Sequence, residues 1–354
     1  MTPPPKSTKR KPSLAISKPS TKSFQVFSSL APAKPTRVYD TYWKFAAERQ
    51  NVFFSKIECA PKPWTKDPIL AEYKFTNAYR ASDRVSQFLI NEVIYKGDQG
   101  IYEVLFRILL FKTFNKIQTW KALERNLGPI KYTSFNPVEY GKFLSDLMAQ
   151  KNTIYSAAYI MTSGRSSFGH AKKHKNHLDL ISKMMKGAFP EQLTKAKSMR
   201  QVFDLLLNFP TIGDFLGYQY ATDINYSSLT SFSEMDCVVP GPGAKDGIRK
   251  CFESLGGLSE SDIIKLVVDR QEVEFERLGI KFRSLWGRRL QLIDCQNLFC
   301  EVDKYSRVAH PEFSGVSGRT RIKQKYRSDS EIIFYQYPPK WGINDLIKKS
   351  QRGK

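Results

Sequence analysis

Phe209-Pro210-Thr211-Ile212-Gly213-Asp214-Phe215-Leu216-Gly217-Tyr218-Gln219 is the stretch on which the fold turns. An apolar helical pattern runs into it, a proline and a glycine interrupt the chain, and a second helical pattern rich in small residues follows. This predicts a tight turn between two helices, a helix-hairpin-helix element. Such a turn presents successive backbone N–H groups beside a helix N-terminus, a concave donor nest that can hold a DNA phosphate without a charged side chain. Thr211, Ile212 and Gly213 are the expected backbone-gripping residues. An ordinary connector between packed helices fits the same pattern, so the surroundings must discriminate.

Helical periodicity begins at Tyr39, where Tyr39, Tyr42, Trp43, Ala46, Phe53 and Phe54 recur on one face. Further helices are predicted over Tyr102–Phe114, Val138–Met148, Asn152–Met161, His177–Met185, Met199–Phe209 and Leu258–Leu278, the last opened by a Ser259/Asp262 capping pair. Strand signals are confined to Leu290–Ile293 and Ile332–Tyr337. Gly/Pro punctuation separates the helices and no repeat recurs at a fixed period. The fold class is therefore mainly α with few short strands: a helical domain over 37–345, which the resemblance given below makes helix-hairpin-helix DNA glycosylase-like, preceded by a disordered basic tail (1–36) and followed by a flexible basic end (346–354).

The formal charge is +22, and residues 1 to 40 hold eight Lys/Arg against the one acid Asp40, which leaves +15 on the folded body. That excess points to a polyanion, because every phosphate neutralised by Lys or Arg releases condensed counterions. Lys9-Arg10-Lys11 reads as a nuclear-import signal if the source is eukaryotic, and otherwise the expectation is an intracellular protein. Five cysteines without a CxxC pair give neither a disulfide framework nor a zinc spacing. The richest apolar stretch, Ile101–Phe111, is too short and too charged to span a bilayer, so no membrane partner is expected.

Twenty-three residues after Gly213 stands Asp236, in Glu234-Met235-Asp236-Cys237-Val238-Val239-Pro240-Gly241-Pro242-Gly243-Ala244. In helix-hairpin-helix DNA glycosylases a catalytic aspartate follows the hairpin at about that separation, and the resemblance nominates Asp236. Phe215 stands where the bifunctional members of that group carry a nucleophilic lysine, which disfavours Schiff-base chemistry. The turn at Gly241 and Gly243 is either a bare connector or a loop whose missing side chains let nucleic acid approach the backbone.

A broader resemblance rests on several segments in order: Arg49-Gln50-Asn51 with Phe53-Phe54, Pro63-Trp64-Thr65-Lys66-Asp67-Pro68-Ile69-Leu70, Phe75-Thr76-Asn77-Ala78-Tyr79-Arg80 with Asp83-Arg84, Thr222-Asp223-Ile224-Asn225-Tyr226, the Gly-Pro-Gly turn, and Cys300-Glu301-Val302-Asp303-Lys304-Tyr305. From about Tyr39 to Gly342 the chain resembles the thymine hypermodification family, comprising α-glutamyl/putrescinyl thymine pyrophosphorylases and the helical domain of 5-hydroxymethyl-deoxyuridine DNA kinases. These 354 residues contain no Gly-x-x-x-x-Gly-Lys-Ser/Thr phosphate loop.

The resemblance implies a base-flipping domain that acts on hydroxymethyluracil-type bases in double-stranded DNA, replacing an exocyclic pyrophosphate with an amine or amino acid. Such chemistry needs cations for the leaving group and a carboxylate for the amine. Arg49, Arg80, Arg84 and Lys304 are the cation candidates. Asp223, Asp236, Glu301 and Asp303 are the carboxylate candidates, with Asp236 favoured. Asn51, Gln219 and Asn225 are candidates for pyrimidine hydrogen bonding, beside Asn77, while Trp64 and Tyr79 are candidates for stacking. Each of these residues also has a purely structural reading, as a surface ion pair, a cap or a core ring.

His170, His174 and His177 sit among lysines that argue against a metal, and no cofactor is expected; Mg²⁺ is compatible with the chemistry but no motif indicates it. Arg319-Thr320-Arg321-Ile322-Lys323-Gln324-Lys325-Tyr326-Arg327 alternates bases with other residues, as either a phosphate-tracking segment or a charged loop. Two alternatives to substitution stay open: a monofunctional glycosylase excising a modified pyrimidine, and a non-catalytic reader of modified DNA.

Overall fold

A computed structural model describes residues 33–327 and 333–352, with side chains to 348. Lys9-Arg10-Lys11 and most of the expected tail lie outside the described residues. Fifteen α-helices carry the described chain, and the regular strands are two short ones, β1 (Lys34–Pro35) and β2 (Phe252–Ser254), paired antiparallel. The end of the expected tail is thus part of the fold: the Thr36 N–H donates to the Cys251 carbonyl at 2.8 Å, and its hydroxyl caps the first helix by accepting from the Val38 N–H.

That helix, α1 (Arg37–Ile57), buries Tyr42, Trp43, Phe45, Ala46, Phe53 and Phe54 as the three-and-four spacing dictates. It packs with α12 (Pro242–Cys251), α13 (Glu260–Arg277) and α14 (Leu292–Ala309). Where α12 and α14 cross, Gly247 lies on the backbone of Phe299 so closely that a Cβ would collide with the Phe299 carbonyl. A side chain there would push the two helices apart, so glycine sets their separation.

The second group of helices surrounds α4 (Ile101–Phe114), which is buried on nearly every side. Its charged residues are each matched inside the protein. Glu103 accepts from the Tyr132 and Thr133 N–H groups, Arg107 donates to the Val93, Ile94 and Asp98 carbonyls, and Lys112 meets Asp223. Two further helices of this group, α10 (Met199–Leu207) and α11 (Asp214–Asn225), are joined by a short turn and pack where Gly217 rests against Leu207 and Phe203. The predicted capping pair is present at α13, with Ser259 and Asp262 satisfying each other's backbone.

Four expectations fail for local reasons. Asn152–Met161 is irregular rather than helical, with Lys151 and Tyr159 at φ of 62° and 57°. Leu290–Ile293 is the entry to α14: Gln291 and Asp294 form a capping box there, a cue that outweighs a short apolar run whose period cannot separate strand from helix. In the second expected strand, Ile332 lies outside the described residues, and 333–337 pairs with side chains instead of a strand, Gln87 bonding to the Gln336 backbone and Asn344 to that of Tyr337. The end expected to be flexible from 346 belongs to the helix Asn344–Arg352, anchored by Ile347 at 1% exposure.

Candidate active site

A cleft of about 2190 Å³ opens between the two groups of helices. One wall is α1 and α14, through Arg49, Val52, Phe53, Lys56, Glu301 and Lys304; the opposite wall is the end of α4 with the irregular segment Thr153–Tyr159. The segment Arg80–Leu89 and Asp223 of α11 close its depth, and residues 318–327 border it. Fourteen Lys/Arg line this space against three carboxylates, Asp83, Asp223 and Glu301. The body's surplus of positive charge is therefore concentrated on one concavity, where the field on an entering anion is strongest.

At the deepest point Arg80 donates to Asp223 Oδ1 at 2.7 Å, and Lys112 Nζ lies 2.9 Å from Asp223 Oδ2. Burial alone would push the Asp223 carboxyl up, but Arg80 and Lys112 hold it below its ordinary value, so it is an anion. Burial lowers Lys112 to about 8, despite Asp223. Lys112 also sits 3.9 Å from the centre of the Tyr159 ring, and Arg80 bonds the Tyr226 hydroxyl. Asp223 is thus spent on two cations and is the anchor of the site rather than a free base.

Asp83 differs. It is half-buried in the cleft wall and accepts the Asn77 N–H at 2.7 Å. Loss of water raises its carboxyl to about 7, Glu301 adds to this, and the Asn77 bond, Arg49 and Arg80 only partly oppose it. It can hold or release a proton at neutral pH. Lys56, half-buried across α1, is lowered first by burial and then by Arg49, Arg84 and Lys62, so these four cations share one region of the cleft. Glu301 accepts the Thr76 N–H and pairs with Lys304 at 2.7 Å, and Arg49 donates to the Thr76 carbonyl, so both backbone polar groups of Thr76 are tied to the wall.

Of the sequence candidates, then, Arg49, Arg80, Arg84, Lys304, Asp223 and Glu301 come together in the cleft. Asp236 does not. It is exposed outside the cleft and accepts the Arg200 N–H in the first turn of α10, so the residue favoured for catalysis is a helix-end acceptor. Asp303 is buried between Lys250 at 3.0 Å and Arg307, a structural pair below the surface. Asn51 is exposed on α1, away from the cleft lining. Gln219 is buried against Gln296, and Asn225 binds the backbone of Phe232 and the Thr230 hydroxyl, which shapes the turn after α11.

Gly241 and Gly243 are glycines for protein contacts: a Cβ on Gly241 would run into the Phe215 ring, and one on Gly243 would press on Cys300. Thr211, Ile212 and Gly213 form the α10–α11 turn and are not part of the cleft lining; Phe215 just after them stacks on Tyr159 at 5.9 Å and so joins the hairpin to the cleft wall. Trp64 lines the cleft with Lys62 over its ring, whereas Tyr79 is a core residue bonded to the Arg288 carbonyl. The imidazoles have protein partners: His170 Nε2 to Asp179, His174 Nε2 to the Ser145 hydroxyl, and His177 to Tyr155 and the Thr162 carbonyl.

Asp83, Lys112 and Tyr159 had no role in the sequence reading. Lys112 left a trace, a lysine in the most apolar stretch of the chain, which is costly to bury without a counter-charge. Asp83 entered only as a member of a resemblance segment and Tyr159 only as a position in an expected helix, since their importance comes from what surrounds them.

A helical body that gathers its cations into one deep cleft defines a protein suited to a polyanionic ligand. Residues 36–315 match the family model described as 5-hmdU DNA kinase, helical domain, and the chain belongs to that family. It is similar to a 5-hmdU DNA kinase of Bacillus phage SP10, with 26% identity over 336 residues, covering 88% of this chain and 51% of the relative. The chain thus spans about half the length of that curated relative. No solved structure matches.

Proposed function

We propose that this protein binds double-stranded DNA carrying a 5-hydroxymethyluracil-type base, turns that base out into the cleft, and replaces a pyrophosphate on its exocyclic carbon with an amine or amino acid. The observation that carries the reading is the lining of the cleft, fourteen cations around a carboxyl raised to about 7. The name of the phage relative supports a modified thymidine in DNA as the ligand.

In this reading Arg49, Lys56 and Arg84 receive the pyrophosphate, whose charge grows as it leaves. The amine lone pair forms the new C–N bond as the C–O bond breaks, pyrophosphate departs with that electron pair, and the nitrogen's surplus proton passes to Asp83. Arg80, fixed by Asp223, supplies positive charge at the depth of the cleft. Trp64, on the cleft wall, offers an aromatic surface to an extruded pyrimidine. The α10–α11 turn contributes phosphate contacts through its backbone.

The test is incubation with duplexes containing thymine, 5-hydroxymethyluracil or its pyrophosphate ester, with an amine present, followed by nucleoside mass spectrometry. An amine adduct from the ester alone, lost in Asp83→Asn with DNA affinity kept, supports the proposal. Release of free base establishes excision instead, and tight binding without any product establishes a reader.

A further inference from the structure

Arg319, Arg321, Lys323, Lys325 and Arg327 occupy every second position of the segment that borders the cleft. This segment is not a free loop. The Lys74 N–H donates to the Gln324 carbonyl at 3.0 Å, the Tyr326 N–H to the Glu72 carbonyl at 2.8 Å, and Tyr73 bridges Lys325 in antiparallel register. Arg307 donates to the Arg321 carbonyl, and Ile322 packs against the core. Extended backbone sends alternate side chains to opposite faces, so residues two apart share a face about 7 Å from one another. Ile322 is partly buried against the core, while Arg321 and Lys323 on either side of it are exposed.

Lys325 pairs with Glu72 at 3.1 Å, but among the described residues Arg319, Arg321 and Lys323 have no carboxylate partner. Among the described residues these charges stand at every second position, exposed and without a carboxylate partner, on a backbone held at Arg321, Gln324 and Tyr326. A row of cations at a regular interval complements a row of anions at a comparable one, which is the geometry of successive phosphates along one nucleic-acid strand. A base drawn into the cleft stays covalently attached to its own strand, so the phosphates lying at the cleft border belong to that strand.

We infer that residues 319–323 form a phosphate rail for the DNA strand that carries the modified pyrimidine, holding it without reading its sequence. This rests on the proposed DNA function and deepens it. Each phosphate contact steepens the dependence of log affinity on log salt by about 0.7 to 0.9.

The experiment compares the full chain with the triple variant Arg319→Gln/Arg321→Gln/Lys323→Gln, matched for folding by circular dichroism, using fluorescence anisotropy across a KCl series. Duplexes carry thymine or 5-hydroxymethyluracil, with a methylphosphonate patch beside that base or on the complementary strand. The expected results are a salt slope shallower by about 2 to 3 in the variant, an unchanged preference between the two bases, and parent binding weakened only by the patch beside the base. A variant that keeps the parent slope overturns the rail while leaving DNA binding intact. Sensitivity to the complementary patch alone overturns the strand assignment, and loss of base preference overturns the sequence-independent role. A parent with no salt-dependent DNA binding overturns the rail together with the proposed function.

Discussion

Lys112 and Asp223 meet at 2.9 Å with side chains 1% and 2% exposed, one from α4, the most apolar of the described helices, and the other from α11. Because Arg80 holds the other carboxylate oxygen, a single anion compensates two buried cations, and Arg80 and Asp223 of this trio line the cleft.

Removing that anion leaves two cations without their partner. Asp223→Asn should destabilise the fold by about 3–5 kcal/mol, as expected for a broken buried pair. Lys112→Met keeps the Arg80–Asp223 pair and should cost clearly less. Urea unfolding of both variants checks the order, and equal losses would contradict the central place given to Asp223.

The raised carboxyl of Asp83 has a defined sign in pH-dependent stability. With a folded value near 7 against an ordinary 3.8, the folded state holds the proton more tightly, so its contribution is complete at low pH and is lost as pH rises toward 7. Asp83→Asn should therefore gain stability relative to the parent steadily across that window and show a constant difference above it. Denaturation midpoints over a pH series supply the measurement.

His177 behaves oppositely. Burial lowers it to about 4, so the folded state rejects a proton that the unfolded chain accepts near 6.5, and stability falls as pH drops between those values. His177→Gln should flatten this part of the profile. Because His177 Nδ1 bonds the hydroxyl of Tyr155 on the cleft wall, the same variant should also weaken binding to the modified duplex.

Two glycines of the same turn-and-helix segment should respond unequally. Gly241→Ala meets the Phe215 side chain, which can move, and should cost about 1–3 kcal/mol, typical of overpacking. Gly247→Ala meets the Phe299 carbonyl, which cannot move without separating α12 from α14, and should cost more. Adding Phe215→Leu should rescue the first variant and leave the second unchanged.

Asp236→Asn should leave DNA affinity and turnover at parent levels, because its carboxylate lies outside the cleft and serves the Arg200 N–H. The stability change should stay within about 0.5 kcal/mol, as for most surface substitutions. A lost activity with an intact fold would restore Asp236 to the catalytic machinery.

Local pattern carried much of the fold. The spacing of Tyr39, Tyr42, Trp43 and Ala46 requires a buried helical face, and the Ser259/Asp262 pair marks a helix start on its own. The same logic failed over Asn152–Met161 and Leu290–Ile293. In the first the chain is held by contacts with distant residues, such as the Ser156 N–H to the Phe114 carbonyl; in the second a capping box settles what four apolar-rich positions leave ambiguous.

For the site, Asp236 and Asp303 show the limit most clearly. Both look reactive along the chain, yet one ends at a helix terminus and the other between two buried cations, since a carboxylate's role depends on spatial neighbours such as Arg200, 36 positions from Asp236, and Lys250, 53 positions from Asp303. Sequence by itself determined the helical class, the turn that separates α10 from α11, the surplus of positive charge and the resemblance to the thymine hypermodification family, because periodicity, punctuation, charge and ordered motifs are properties of the linear chain. Only the tertiary structure decided which charges share a cleft, which acid is anchored and which is poised to exchange a proton, because solvent exclusion and Coulomb interactions depend on distances in space.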